Sequence, residues 1–261
     1  MEKITIGPLH CDLLRTDEFW DICRRWLASD SFHHIVTLNP EMIMAAQTDN
    51  AFFEALKKAD LKVADGAGII WARWYMRSSF WPLLPSLISF MWRDVERITG
   101  VDIVIHLAQL AQEAGLPLYL LGGAPPDVAR TAEILRRRFP RLQVFKAHDH
   151  TFDIEGPTDI IEDIRQRQAA IVLVAYGASR QAQWIEYWRG QLPSVRIAVG
   201  VGGAFAILGE SLPRAPLWLR QHNLEWLWRL LLEPQRLPRI WQATVRFPLY
   251  IRALRQKSLA H

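Results

Sequence analysis

The chain has 261 residues, half of them hydrophobic and 22% charged, which excludes a disordered or low-complexity protein and suits one large α/β domain with a small appendage. Its two cysteines, Cys11 and Cys23, are too few for a disulfide framework and lack metal-ligand spacing, so a reducing compartment is expected. The net charge of +4 is uneven: from Arg214 onward nine Arg or Lys face two Glu, a balance of +7 that leaves −3 on the remainder.

The opening segment, MEKITIGPLHCDLL, lacks the long apolar run of a signal peptide. Short apolar, β-branched runs then alternate with helical patterns. The expected strands are Ile4 to Gly7, His33 to Asn39, Leu61 to Asp65, Leu118 to Leu121, Gln143 to Lys146, Ile171 to Tyr176 and Arg196 to Val201. Several are almost continuously apolar, as in parallel strands covered on both faces. Helices are expected over Asp17 to Ala28, Asn50 to Ala59, Gly100 to Gly115, Pro126 to Phe139, Thr158 to Gln168 and Arg180 to Gln191, with Thr16 and Asp49 as N-caps. The alternation predicts an α/β, Rossmann-like open parallel sheet with helices on both faces, over residues 1–212. The longest apolar stretch, Phe80 to Trp92, contains two prolines and is too short to span a bilayer.

Residues 213–261 read differently. The β signal stops after Gly203, Arg214-Ala215-Pro216 marks a turn, and a helical, basic, tryptophan-containing appendage follows. Ile240, Thr244, Phe247, Ile251 and Leu254 form a stripe at three- and four-residue steps, with a break or kink expected near Pro248. Such a helix either packs on its own domain or lies on an anionic membrane.

Ligands of open α/β sheets bind beyond the carboxyl ends of the strands. Thr37 and Asn39, Asp65, Gly122-Gly123, His148, Gly177 with Gln181, and Gly202-Gly203 all fall there. Asp65 ends an apolar strand and precedes Gly66-Ala67-Gly68 and a helix. Partial desolvation there suits a general base; an N-cap on that helix is the competing assignment. Gly122-Gly123 and Gly202-Gly203 each fit either a phosphate-binding turn or a plain tight turn. The histidines at 33, 34, 148 and 150 do not complete a recognisable metal site. No G-x-G-x-x-G, P-loop, Asp-x-Asp or G-x-S-x-G pattern is present, which disfavours a dinucleotide oxidoreductase and a serine hydrolase. The acidic body and the absence of a recognition motif disfavour nucleic acid.

Several segments together resemble the WecG/TagA/CpsF family of bacterial glycosyltransferases. They are Thr37-Leu-Asn-Pro-Glu41, Ala64-Asp-Gly-Ala-Gly68, Glu96-Arg-Ile-Thr-Gly-Val-Asp102, Tyr119-Leu-Leu-Gly-Gly123, Gly200-Val-Gly-Gly-Ala-Phe205, Arg214-Ala-Pro216, and Leu224-Glu-Trp-Leu-Trp-Arg229 with Glu233-Pro234. The resemblance implies an inverting, metal-independent transfer of a hexose or N-acetylhexosamine-type sugar. The donor would be a UDP-sugar and the acceptor a polyprenyl-diphosphate-linked sugar, in surface polysaccharide synthesis and without a cofactor. It implies Asp65 as the catalytic base. It places Thr37, Asn39, Arg97 and Gln181 in the substrate pocket, with Gly122, Gly123, Gly202 and Gly203 toward the nucleotide. Arg214, Arg220 and Arg229 become candidates for the lipid diphosphate, because the guanidinium fork bonds two oxygens at once. The protein would then sit peripherally on the cytoplasmic face of the membrane, against an anionic surface. Its oligomeric state stays open, a homo-oligomer included.

The chain departs from the family pattern at Ser179-Arg180-Gln181-Ala182, where Pro-Lys-Gln-Glu is usual, and at Ala206, where an acid is usual. It also departs at His148-Asp149-His150-Thr151-Phe152, where His-Gly-Tyr-Phe is usual. These losses bear on the donor, and they motivate the alternative of a non-catalytic, membrane-associated relative that kept the fold.

Overall fold

The computed structural model describes residues 2–77, 98–147, 154, 158–222 and 224–259. The expectations at Phe80 to Trp92, Arg97 and the histidines at 148 and 150 lie outside these residues, as does the side chain of Arg220.

The chain opens with a hairpin, β1 (Glu2–Ile6) and β2 (Leu9–Leu13), paired antiparallel with Ile4 opposite Cys11. Gly7, at φ +59°, takes the first turn position. Helix α1 (Thr16–Leu27) follows, then β3 (His33–Leu38), α2 (Pro40–Ala46), α3 (Asn50–Lys58), β4 (Leu61–Ala64) and α4 (Ala67–Arg77). The second half contains α5 (Gly100–Ala114), β5 (Leu118–Gly122), α6 (Pro125–Arg138), β6 (Val144–Ala147), α7 (Thr158–Gln166), β7 (Ile171–Ala175), α8 (Ala178–Trp188), β8 (Ile197–Gly200) and α9 (Ala204–Leu208).

The eight strands form one sheet in the order β1-β2-β4-β3-β8-β7-β5-β6, and every pair except β1–β2 is parallel. This is the expected α/β sheet. Alternate residues of one strand bury into opposite layers, which is why the strands read as unbroken apolar runs. Leu118, Leu120, Ile171 and Leu173 pack toward α1, α5 and α6, while Tyr119, Leu121, Val172 and Val174 pack toward α7 and α8. Beside the latter layer, α2, α3 and α4 cover the β1–β4 end of the sheet.

Three features differ from the sequence reading. Strand β2 was not expected, because Leu9–Leu13 is short and carries Asp12. That carboxylate is buried and partly compensated: Oδ2 accepts from the Lys62 amide at 3.0 Å, and the Lys3 ammonium lies 3.5 Å from Oδ1 as an ion pair, not a hydrogen bond. Thr16 is not an N-cap. Arg15 takes that place in extended backbone, its N–H donating to Glu18 Oε2 at 2.9 Å, so Thr16 is the first helical residue. Asp49 does cap α3, accepting from the Phe52 amide at 2.9 Å. Helix α2 emerges as a separate element because Asn39 caps it through the Met42 amide at 2.9 Å and Pro40 begins it.

The C-terminal segment folds as α10 (Leu217–Gln221), α11 (Glu225–Leu232), α12 (Leu237–Trp241), a wide π-type turn over Gln242–Arg246, and α13 (Phe247–Leu259). The irregularity near Pro248 is this turn. The run stays helical from Leu237 to Leu259, and the widened turn directly precedes the proline, whose missing N–H and ring disfavour regular helical bonding there. Part of the stripe packs inward: Phe247 and Ile251 are fully buried with residues of α2 and α4, whereas Thr244 is exposed. Part of the tail is therefore core, as the domain-packing alternative required.

Candidate active site

Strands β3 and β8 are the meeting point of the two halves of the sheet: from β3 the chain proceeds outward to β4, and it returns to the centre only at β8. Open sheets place ligands at such a switch point. A cavity of about 520 Å³ lies there. Its floor comes from the loops after β3, β4 and β8, and its far wall from the tail helices. Asn39, Asp65, Val201 and Gly203 come from the strand ends, and Thr99 and Gly100 from the start of α5. Arg214, Trp226, Trp228, Arg229 and Phe247 come from the tail.

Asp65 is half-buried on this wall, and its backbone N–H donates to the Leu38 carbonyl at 2.8 Å, which ties the β4 and β3 ends together. Gly66 turns the chain with φ +95°, a value side chains resist, and α4 starts at Ala67. The residue flanking the helix is thus Gly66. Asp65 stands one position further out.

Asn39 reaches the wall with its side-chain oxygen committed to the α2 cap. Thr37 does not reach it: it is buried inside β3, opposite Val63. Gln181 is likewise buried, away from the cavity. Its Oε1 accepts from the Gly202 amide at 3.2 Å, and its side chain fills the space over Gly200 that a Cβ there would need. It holds the β8–α9 loop, whose next residue, Gly203, is on the wall. Gly122 and Gly123 lie off the cavity, both at positive φ, where side chains would meet Tyr176 and Phe205. That geometry is what a tight turn requires. Ala182 and Ala206 also lie off the wall, Ala182 in the apolar core.

Arg214 and Arg229 do line the cavity. Arg214 Nη2 is 3.0 Å from Asp102 Oδ1. Arg229 donates through Nε and Nη2 to Glu233 Oε2, both at 2.8 Å, and Arg236 Nε reaches the same oxygen at 3.1 Å. Burial, and then the neighbouring Arg229 guanidinium, pull Arg236 below the usual arginine range. The tail contributes one more fixed group: Trp228 Nε1 donates to the Pro213 carbonyl at 3.0 Å.

Sequence reasoning assigned no role to Glu41, Trp71, Thr99, Trp226 or Trp228, all on the wall. Glu41, Thr99 and the two tail tryptophans sit inside the quoted motifs, which was the available signal. Trp71, about one turn into α4, had none.

The chemistry of the wall is three carboxylates, Glu41, Asp65 and Glu225, among aromatic rings, with two guanidinium groups and the first turns of α4 and α5 facing the same space. It suits a polar, ring-shaped substrate carrying anionic groups. Comparison with known proteins agrees. The model of the "Glycosyl transferase WecG/TagA/CpsF family" matches residues 4–260. Proteins of Staphylococcus aureus strains NCTC 8325 / PS 47, COL and MSSA476, each named N-acetylglucosaminyldiphosphoundecaprenol N-acetyl-beta-D-mannosaminyltransferase, are 28% identical over 207 residues, covering 79% of this chain and 74% of each relative.

Proposed function

Since the chain belongs to the WecG/TagA/CpsF glycosyltransferase family, we propose that it moves a hexose or N-acetylhexosamine-type sugar from a UDP-sugar to a polyprenyl-diphosphate-linked sugar, with inversion and without a metal. The single observation that carries this reading is Asp65 on the wall of the switch-point cavity, in the same space as Arg214 and Arg229. The names of the Staphylococcus aureus relatives support the acceptor class: an N-acetylglucosamine joined by a diphosphate to undecaprenol.

In this reading the Asp65 carboxylate takes the proton of the acceptor hydroxyl as that oxygen attacks the anomeric carbon. UDP leaves from the opposite face, which inverts the centre. Charge grows on the departing diphosphate, and the N-terminal turns of α4 and α5, both opening on the cavity, present partial positive charge to it. Arg214 and Arg229 would hold the acceptor's diphosphate, with Arg220 a further candidate, and Arg97 would belong to the substrate pocket. Thr37 and Gln181 act from behind the wall.

The tail supports work at a membrane surface. Among the described residues no helix is long and apolar enough to cross a membrane, yet Leu217, Trp218, Leu231, Leu237, Trp241 and Leu249 are exposed. Exposed apolar side chains amid a +7 segment fit peripheral docking on an anionic, cytoplasm-facing leaflet. A screen of UDP-sugars against a short-chain polyprenyl-diphosphate N-acetylglucosamine, read by mass spectrometry, tests the reaction. A product one sugar heavier is expected from at least one donor, and no product from any donor would remove the proposal.

A further inference from the structure

Arg214 lies in the stretch between α9 and α10, outside any helix or strand. Its side chain has no regular backbone to set its direction, yet it is held by Asp102, 112 residues away in sequence. Asp102 belongs to the first turn of α5. Its amide donates to the Thr99 hydroxyl at 3.3 Å and its Oδ2 accepts from that hydroxyl at 2.6 Å, completing the helix cap. Capping alone would satisfy an acid in this place. Its second oxygen does something else, reaching 3.0 Å across to the tail.

The placement is specific. Thr99 and Arg214 line the cavity, whereas Asp102 does not, so the carboxylate stands behind the guanidinium. The other cavity arginine repeats the arrangement: Arg229 is on the wall, and Glu233, off the wall, holds it from behind. The two pairs differ in reach. Glu233 and Arg229 are four residues apart on adjoining turns, whereas Asp102 joins the sheet-bearing part of the chain to the tail. Both partners of the Asp102–Arg214 pair are more than a third exposed, and such a pair contributes little to stability. Direction is what it can supply.

We infer that Asp102 is a positioning residue: it aims Arg214 at the acceptor diphosphate and fixes the start of the tail to the α5 end of the cavity. The inference rests on the proposed role of Arg214 toward a diphosphate. Fixing a long side chain before the ligand arrives removes part of the ordering cost of binding.

The test is calorimetric titration of the full chain with farnesyl diphosphate as probe. Arg214→Ala is expected to weaken binding about tenfold, in line with a charged hydrogen bond. Asp102→Asn is expected to weaken it about threefold through lost pre-organisation. Asp102→Glu should restore most of the loss, and Asp102→Asn should add nothing to Arg214→Ala. Charge counting alone predicts the opposite sign, since removing a negative charge beside the site would tighten anion binding. Tighter or unchanged binding in Asp102→Asn, with Arg214→Ala still weak, overturns the positioning role and leaves the diphosphate reading standing. Unchanged binding in Arg214→Ala overturns both. Thermal unfolding of each variant separates these outcomes from misfolding, and the glutamate variant keeps the question answerable if the asparagine one unfolds.

Discussion

Gly68 and Pro40 touch so closely that a Cβ on Gly68 would run into Pro40 Cγ. The first turns of α4 and α2 meet at that contact, and both line the cavity. Gly68→Ala should therefore push apart the loops that carry Asp65 and Asn39. Overpacking of this kind costs about 1–3 kcal/mol, and turnover should fall more than the loss of stability explains. Gly190→Ala, where nothing lies within 4 Å of the added atom, is the control. Thermal unfolding and kcat/KM measured together decide it; a Gly68→Ala protein matching the control on both would count against the packing argument.

A second prediction concerns pH. His34 is fully buried at the start of β3, and its Nδ1 lies 2.6 Å from Glu186 Oε1. Burial pulls the imidazole below its ordinary range and outweighs the opposing hydrogen bond that the ring donates to Glu186. The unfolded chain therefore takes up this proton first. The stabilisation from the neutral imidazole is complete above about pH 6.5 and declines as the pH falls below it, by at most about 1.4 kcal/mol per pH unit for one proton. Melting curves from pH 8 to 5 should show a decline that His34→Gln makes shallower. An equal decline in both proteins would remove His34 as its source.

Much of this was legible in the sequence because burial on both faces writes itself into a strand as continuous apolar residues. Ile171–Ala175 is such a strand. Leu9–Leu13 was not legible, because Asp12 interrupts it, and the Lys62 amide, 50 residues on, and the Lys3 ammonium compensate that acid only in the folded sheet. Asp65 was visible through its place at a strand end. The tail's stripe was visible as a period, but not the α2–α4 surface that covers Phe247 and Ile251. The cavity wall was the least legible part. Trp71, Trp226 and Arg214 come from two helices and a connecting segment far apart in the chain, and only tertiary packing brings them together.

The burial of Phe247 and Ile251 also decides how the tail should be tested. Deleting residues from 214 onward would strip a core contact as well as the surface. Trp218→Ser with Trp241→Ser removes two side chains that are 59% and 57% exposed and leaves that core alone. Each tryptophan lost from an apolar contact should cost on the order of 1–3 kcal/mol of membrane affinity. Co-sedimentation with vesicles of anionic lipid should show the loss with an unchanged melting temperature. Equal sedimentation of variant and parent would argue against this face as the docking surface.

Gln181 offers a separable effect. Gln181→Glu keeps an acceptor for the Gly202 amide, whereas Gln181→Ala leaves that N–H without its partner and empties the space over Gly200. The Gly202 amide is half-buried, so leaving it unsatisfied costs at most about 1–3 kcal/mol. The alanine variant should lose both stability and activity, and the glutamate variant should retain more of each. The reverse ranking, by thermal unfolding and initial rates, would mean that Gln181 acts through its amide nitrogen instead.

The central claim is that Asp65 removes the acceptor proton. Asp65→Asn keeps the size and the hydrogen-bonding reach of the side chain but cannot take up a proton. With the donor found by the screen and the same lipid-linked acceptor, its kcat is expected to fall by about 10²–10⁴-fold, the range of general-base catalysis, with acceptor binding and melting temperature unchanged. An Asp65→Asn enzyme that turns over within about twofold of the parent would contradict the assignment.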